Sequence, residues 1–311
     1  MSGLSLEDIV AWRNTAPLGI GTGRMAKPFR WNFAKREQLG TWLDRADRFH
    51  PPHRDDLSAL RNAAARILAF SNGADLAFVG RSPENFYDYL SGCFEGISDT
   101  PDLSLIPFSM RWVGEGGVDA IAAHKFSGLA EALAANGLSP QALAASQRPV
   151  ALVDFIAYGG TMEALVSVLN RMARETATDW NAVQRRLRII GLTHRTKNSP
   201  NTWRWQQNQD WLGLIPDARI KNVSAPSGFL FLIANADDKV TYSFHAGRWD
   251  SDVTGAPEPS ADQLRGMAKA AWLYDLGNTR EERETLARLI AAHPEMRQPA
   301  TRALVSALKR G

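Results

Sequence analysis

The chain has 311 residues and a mass of 34.3 kDa, which fits one large domain or two small ones. Hydrophobic residues make up 44% of it, enough for a packed core and against wholesale disorder. The formal net charge of +3, with a pI near 9.1, suits an anionic small molecule and does not demand nucleic acid. Residues 1–55 form an irregular N-terminal extension rich in Trp, Arg and Pro. Its early Glu7 and Asp8 do not fit a secretion signal. Gly19-Ile20-Gly21-Thr22-Gly23-Arg24 has the glycines of a phosphate loop, but no strand leads in and Lys27-Pro28 follows, so it reads as a plain loop. Regular order begins at Asp56. Leu57, Leu60, Ala64, Ile67 and Leu68 recur at helical spacing, and Asn72-Gly73 ends that helix. Residues 75–80 read as a strand, 86–90 as a helix and 103–108 as a second strand. Cys93 is the only cysteine, so no internal disulfide forms, and its apolar neighbours predict a buried, inert thiol. Helices are predicted around 118–135 and 139–146, then an apolar strand with the carboxylate Asp154 at its end, a helix to about Arg174, and a short helix over 179–186. Strands at 187–192, 228–233 and 239–244 complete a core spanning 56–249. Residues 250–259 read as a linker. In the tail, Ser260-Ala261-Asp262-Gln263 and Thr279-Arg280-Glu281-Glu282 fit capping boxes, Gly277 reads as a stop, and a last helix runs from about Pro299 to Lys309. Residues 250–311 thus form a linker and a C-terminal helical segment. No apolar run reaches membrane-spanning length, which predicts a soluble, cytoplasmic protein with no membrane partner.

Strands alternating with helices predict an α/β fold, a mostly parallel sheet flanked by helices. Ligands of such sheets bind at the carboxyl ends of the strands. Pro149-Val150-Ala151-Leu152-Val153-Asp154-Phe155-Ile156-Ala157-Tyr158-Gly159-Gly160-Thr161 is the most informative stretch. A buried strand ends in a carboxylate, and a glycine-paired turn then opens a helix. Glycines admit a close backbone approach, and the free amides of a helix start attract phosphate. Thr161 can cap the helix or bind a phosphate oxygen. The plainer alternative is a packing turn of a kind common in α/β proteins.

The same residues resemble the phosphoribosyl-diphosphate signature of the type I phosphoribosyltransferases: an apolar strand, two acids, two apolar residues, a third acid or polar residue, and a Thr-Gly-Gly/Lys-Thr loop. Laid on without a gap, Val153 stands at the first acid and Asp154 at the second. Phe155 and Ile156 form the apolar pair, and Ala157 stands where many members carry an aspartate that assists the base. A gapped alignment makes Asp154 the first acid and Phe155 the second, so one acid is missing either way. The resemblance implies a phosphate loop at Ala157, Tyr158, Gly159, Gly160 and Thr161. It also implies ribose binding by Asp154 and a Mg²⁺ carried mainly by the substrate.

It assigns Gly80, Arg81 and Ser82 to pyrophosphate, with Arg81 acting beside Asp154 in catalysis. The bare tripeptide is equally consistent with a solvated arginine at a helix start. Arg111 and Lys125 flank a glycine-rich stretch that the family uses as a mobile loop, and an ordinary surface turn is the alternative. His194, Arg195 and Trp205 follow the strand after which the family recognises its base. Trp203, Trp205 and Trp211 also suit a cover over the core, and that is the favoured reading of the three. No zinc or calcium spacing occurs, and no protein-held metal is expected.

The sequence therefore points to a phosphoribosyltransferase-like enzyme, a glycosyltransferase acting at the anomeric carbon of phosphoribosyl diphosphate or a related ribose phosphate or nucleotide. The alternative is a catalytically inactive nucleotide- or sugar-phosphate-binding regulator of the same fold. A structural protein with no small ligand is a third reading. A homodimer is compatible with each, and a nucleic-acid partner is not expected.

Overall fold

The computed structural model describes residues 27–45, 51–109, 117–195, 205–208, 210–216, 219–244 and 246–311. Five parallel strands form one sheet in the order β2-β1-β3-β4-β5: β1 Asp75–Val79, β2 Leu103–Ile106, β3 Val150–Phe155, β4 Leu187–His194 and β5 Ile220–Ala225. The predicted α/β class is therefore the observed one.

Strand parity explains the two layers around the sheet. Leu76 and Phe78 of β1, Ala151, Val153 and Phe155 of β3, and Ile190 and Leu192 of β4 face one apolar core. Ala77, Val79, Leu152, Leu187 and Ile189 face the other. A central parallel strand must bury both faces, which is why Val150–Phe155 is an unbroken apolar run save for Asp154. The first core receives α1 (Arg54–Ser71) and α2 (Glu84–Phe94). The second receives α3 (Ala123–Ala135), α4 (Pro140–Ala145), α5 (Gly160–Glu175) and α6 (Trp180–Arg186).

Two predicted strands are corrected. Residues 228–233 are helical: α7 (Ser227–Phe231) runs into a π-helical turn over Leu232–Ala236. An unbroken apolar run does not fix a period, and here Phe229, Leu230 and Ile233 meet the core at helical spacing. Residues 239–244 are irregular. The Val240 amide and the Thr241 hydroxyl are spent on Glu84 (3.1 and 2.8 Å) instead of on a ladder. The fifth strand is Ile220–Ala225, whose polar Lys221, Asn222 and Ser224 disguise it.

A short helix, α8 (Ala246–Trp249), precedes the tail, where α9 (Ala261–Gly277), α10 (Arg280–Ala291) and α11 (Pro299–Arg310) follow. Leu273, Leu286, Ile290, Leu304 and Leu308 bury in the same core as Phe78 and Val153. The Ser260 capping box has both of its hydrogen bonds, and the Thr279 hydroxyl accepts from the Glu282 amide. Gly277 closes α9, and Gly92 of α2 faces it from across the contact. A methyl group on Gly92 would overlap the Tyr274 carbonyl, and one on Gly277 the Tyr89 carbonyl. Among the described residues no helix is long and apolar enough to cross a membrane.

Candidate functional site

The winding of the sheet sets the place. From β1 the chain moves one way to β2 through α2. It then returns past β1 to β3 through α3 and α4, and continues outward to β4 and β5. The strand order reverses between β1 and β3, so the connections leave their carboxyl ends toward opposite layers. In open α/β sheets that reversal opens a crevice at the carboxyl edge. Gly80-Arg81-Ser82 follows β1 and Ile156–Thr161 follows β3, and the two strands pair directly, with Phe78 opposite Val153. The turn proposed for phosphate and the tripeptide proposed for pyrophosphate thus leave neighbouring strands at the switch point.

The turn after β3 is built for a tight approach. Gly159 has φ +88°, a left-handed conformation, and caps α5 with no side-chain hydrogen bond. The Gly159 carbonyl accepts from the Glu163 amide at 2.9 Å. Among the described residues the amides of Gly159, Gly160 and Thr161 donate to nothing, and neither does the Thr161 hydroxyl. Tyr158 stands at the lip of this turn with 43% of its surface exposed. Ala157 packs against the first core.

Asp154 is 3% exposed. Strand parity puts it on the α5 side with Leu152 and Ile156. Its Oδ1 accepts from the Phe155 amide at 2.7 Å. Its pairing partner, Gly191, carries no side chain; a methyl group there would press on Ile156 and Asn222. Val153 points the other way into the first core, fully buried.

Gly80 also has a positive φ, +73°. Ser82 is buried, and Arg81 is half-buried with Nη1 donating to the Thr241 carbonyl at 3.3 Å. Two further cations stand close enough to interact with Arg81. Burial pushes the Lys239 ammonium down to about 8, with Glu84 and Asp237 opposing and Arg81 adding to the shift. Burial likewise lowers the Arg248 guanidinium to about 10, with Arg81 contributing. The end of β1 therefore gathers three cations, with Glu84 and Asp237 as counter-charges beside Lys239. Sequence reasoning missed Glu84, Lys239, Thr241 and Arg248. Glu84 in the first helical turn after β1 was a visible signal, but its partners lie far along the chain.

The remaining predicted residues lie elsewhere. Lys125 sits on α3, half-buried, and Arg111 lies outside the described residues. His194 ends β4, and its Nε2 meets the Ser227 hydroxyl at the start of α7. Arg195 is exposed beside it. Trp205 is a correction: it is fully buried, stacks on Trp211 and donates its indole N–H to Asn222 Oδ1 at 2.8 Å. It is a core residue with no face to offer a base.

An open cleft of about 360 Å³ lies beside the edge strand β2, lined by Arg30, Trp31, Tyr87, Leu105 and Phe244 among others. A smaller apolar pocket lies between α1 and α9. Neither is lined by a residue of the 154–161 turn. The segments 110–116 and 196–204, which follow β2 and β4, lie outside the described residues. Among the described residues no three His, Cys, Asp or Glu side chains cluster as metal ligands would. Compared with protein-family models, curated proteins and solved structures, the chain matches none.

Proposed function

We propose that the protein binds a phosphorylated ribose or nucleotide at the β1–β3 switch point and acts on it as a phosphoribosyltransferase-like enzyme. The observation that carries this reading is the set of three undonated amides at Gly159, Gly160 and Thr161, at the carboxyl end of the strand beside β1. Such amides, aided by the helix dipole, bind a terminal phosphate. Asp154, near the end of β3 and five residues before Gly159, suits ribose hydroxyls. Arg81, with Lys239 and Arg248 behind it, supplies positive charge for a leaving pyrophosphate. A magnesium ion would ride on the ligand's phosphates, with Asp154 as the protein's carboxylate toward it, and would neutralise the leaving group's charge. The hydrophobic Val153 leaves Asp154 without the second acid of the resembled signature. That favours the regulator as the second reading, since a cradle with one acid still holds phosphate. A cytoplasmic setting belongs to the same proposal.

The test is to follow pyrophosphate release from phosphoribosyl diphosphate and Mg²⁺ with a panel of nucleobases. Release that disappears in Asp154→Ala and Thr161→Ala supports the enzyme. Binding with no release, weakened by Thr161→Ala, supports the regulator. If neither phosphoribosyl diphosphate nor ribose 5-phosphate raises the melting temperature, the binding proposal fails.

A further inference from the structure

The contact between His194 and Ser227 lies outside the phosphate cradle and has its own chemistry. His194 is the last residue of β4 and pairs in register with Ala225, the last residue of β5. Two residues beyond Ala225 the chain turns into α7 at Ser227. Both side chains therefore stand on the carboxyl edge of the sheet, brought together by strand pairing across 33 residues of sequence. Imidazole Nε2 meets the hydroxyl oxygen directly. Both residues are partly exposed. Gly228, the next residue, is exposed and adds no side chain beside Ser227.

We propose that Ser227 and His194 form a nucleophile–base pair that hydrolyses carboxylic esters. A serine hydroxyl is a weak nucleophile until a neighbouring base accepts its proton, and imidazole is the side chain suited to do so near neutral pH. Ser227 Oγ attacks the ester carbonyl while Nε2 of His194 takes the hydroxyl proton. The C–O bond to the alcohol breaks, and the imidazolium returns that proton to the departing alcohol. Water then attacks the acyl-serine with His194 accepting its proton. The carboxylic acid leaves, and Ser227 regains its hydrogen from the imidazolium. No metal, oxidant or second substrate other than water is needed. The pair makes no use of Gly159–Thr161, so this activity and phosphate binding stand or fall separately.

The full chain is incubated with a fluorophosphonate probe and, separately, with 4-nitrophenyl acetate. The expected result is labelling located at Ser227 by peptide mass spectrometry, and ester turnover that rises with pH as an imidazole loses its proton. Ser227→Ala should abolish labelling, and His194→Gln should lower turnover by about 100-fold or more. Ser224→Ala, whose hydroxyl faces Arg66 instead, should leave both unchanged. If Ser227→Ala misfolds by circular dichroism, Ser227→Cys preserves the shape and should alkylate with iodoacetamide in a His194-dependent way. The native Cys93 is buried and gives no background. No label at Ser227, or turnover independent of His194, overturns the proposal.

Discussion

Gly159 is where the cradle is most vulnerable to a single change. Its φ of +88° is open to glycine and strained for a branched side chain. Gly159→Val should cost about 1–2 kcal/mol in urea denaturation and abolish the melting shift given by ribose 5-phosphate. Gly213→Ala, in open space without a positive φ, should change neither. Cys93 gives a second expectation. Its thiol is fully buried, and burial pushes it up to about 12. It should resist a thiol reagent at pH 8 until the protein unfolds, so labelling rate should follow global opening. Rapid labelling in the native state would contradict that burial. At this scale the sequence was readable wherever a residue acts on its chain neighbours. Gly159 and Gly160 announced a turn, and the apolar surroundings of Cys93 announced its burial. It was silent where two residues meet through the fold. Nothing near His194 points to Ser227, and nothing near Glu84 points to Val240 and Thr241.

Among elements, the segment 27–45 is tied to the body by an apolar patch and an ion pair. Trp31, Phe33 and Leu39 pack with Leu264, Met267 and Tyr274 of α9. Arg30 donates two hydrogen bonds to Asp88 of α2, at 2.6 and 2.7 Å. Such a pair is costly to break from one side, because the surviving carboxyl is left buried and must keep an unpaired charge or take up a proton. Arg30→Met should destabilise the protein by about 3–5 kcal/mol, and Asp88→Leu in the same chain should restore part of that loss.

The pair also carries a pH signature. Burial pushes the Asp88 carboxyl from its ordinary 3.8 up to about 6; Arg30 and Lys239 oppose this and Glu84 adds to it. The folded state thus holds this proton more tightly than the unfolded chain does. The stability contributed by Asp88 is full below about 3.8 and is lost as pH rises through about 6. Relative to Asp88→Asn, the native protein should lose about 1–3 kcal/mol between pH 3.5 and 7 in urea melts. Parallel slopes in the two proteins would overturn this. Elements with a clean period were legible in advance: α1 with its Asn72-Gly73 end, α5, and the Ser260-capped α9. The run 228–233 was not, because five consecutive apolar or aromatic residues satisfy a buried strand and a buried helix equally.

For the whole molecule, the decisive property is the reversal of winding between β1 and β3. Alternating strands and helices made a parallel sheet legible, but strand order is set by which layers the crossovers fill, and no local residue pattern records that. The consequence is a molecule with unequal edges. The carboxyl edge gathers Arg81, Lys239, Arg248, the free amides of 159–161 and the Ser227–His194 contact. At the amino edge, Arg148 lies 3.6 Å from Asp75, at the starts of β3 and β1, with its charge matched on the spot and nearly half-exposed. Both arginines belong to the same β1–β3 pair, so comparing them separates general basicity from a built site. Loss of one charge-assisted hydrogen bond to a bound phosphate is worth about 1.5–3 kcal/mol, or roughly 10- to 100-fold in affinity. Arg81→Ala and Thr161→Ala should each weaken ribose 5-phosphate binding, measured by isothermal titration calorimetry, by about that factor. Arg148→Ala should leave it unchanged at constant ionic strength. Equal losses at Arg81 and Arg148 would mean that the protein attracts anions by net charge alone and that the switch point holds no specific site.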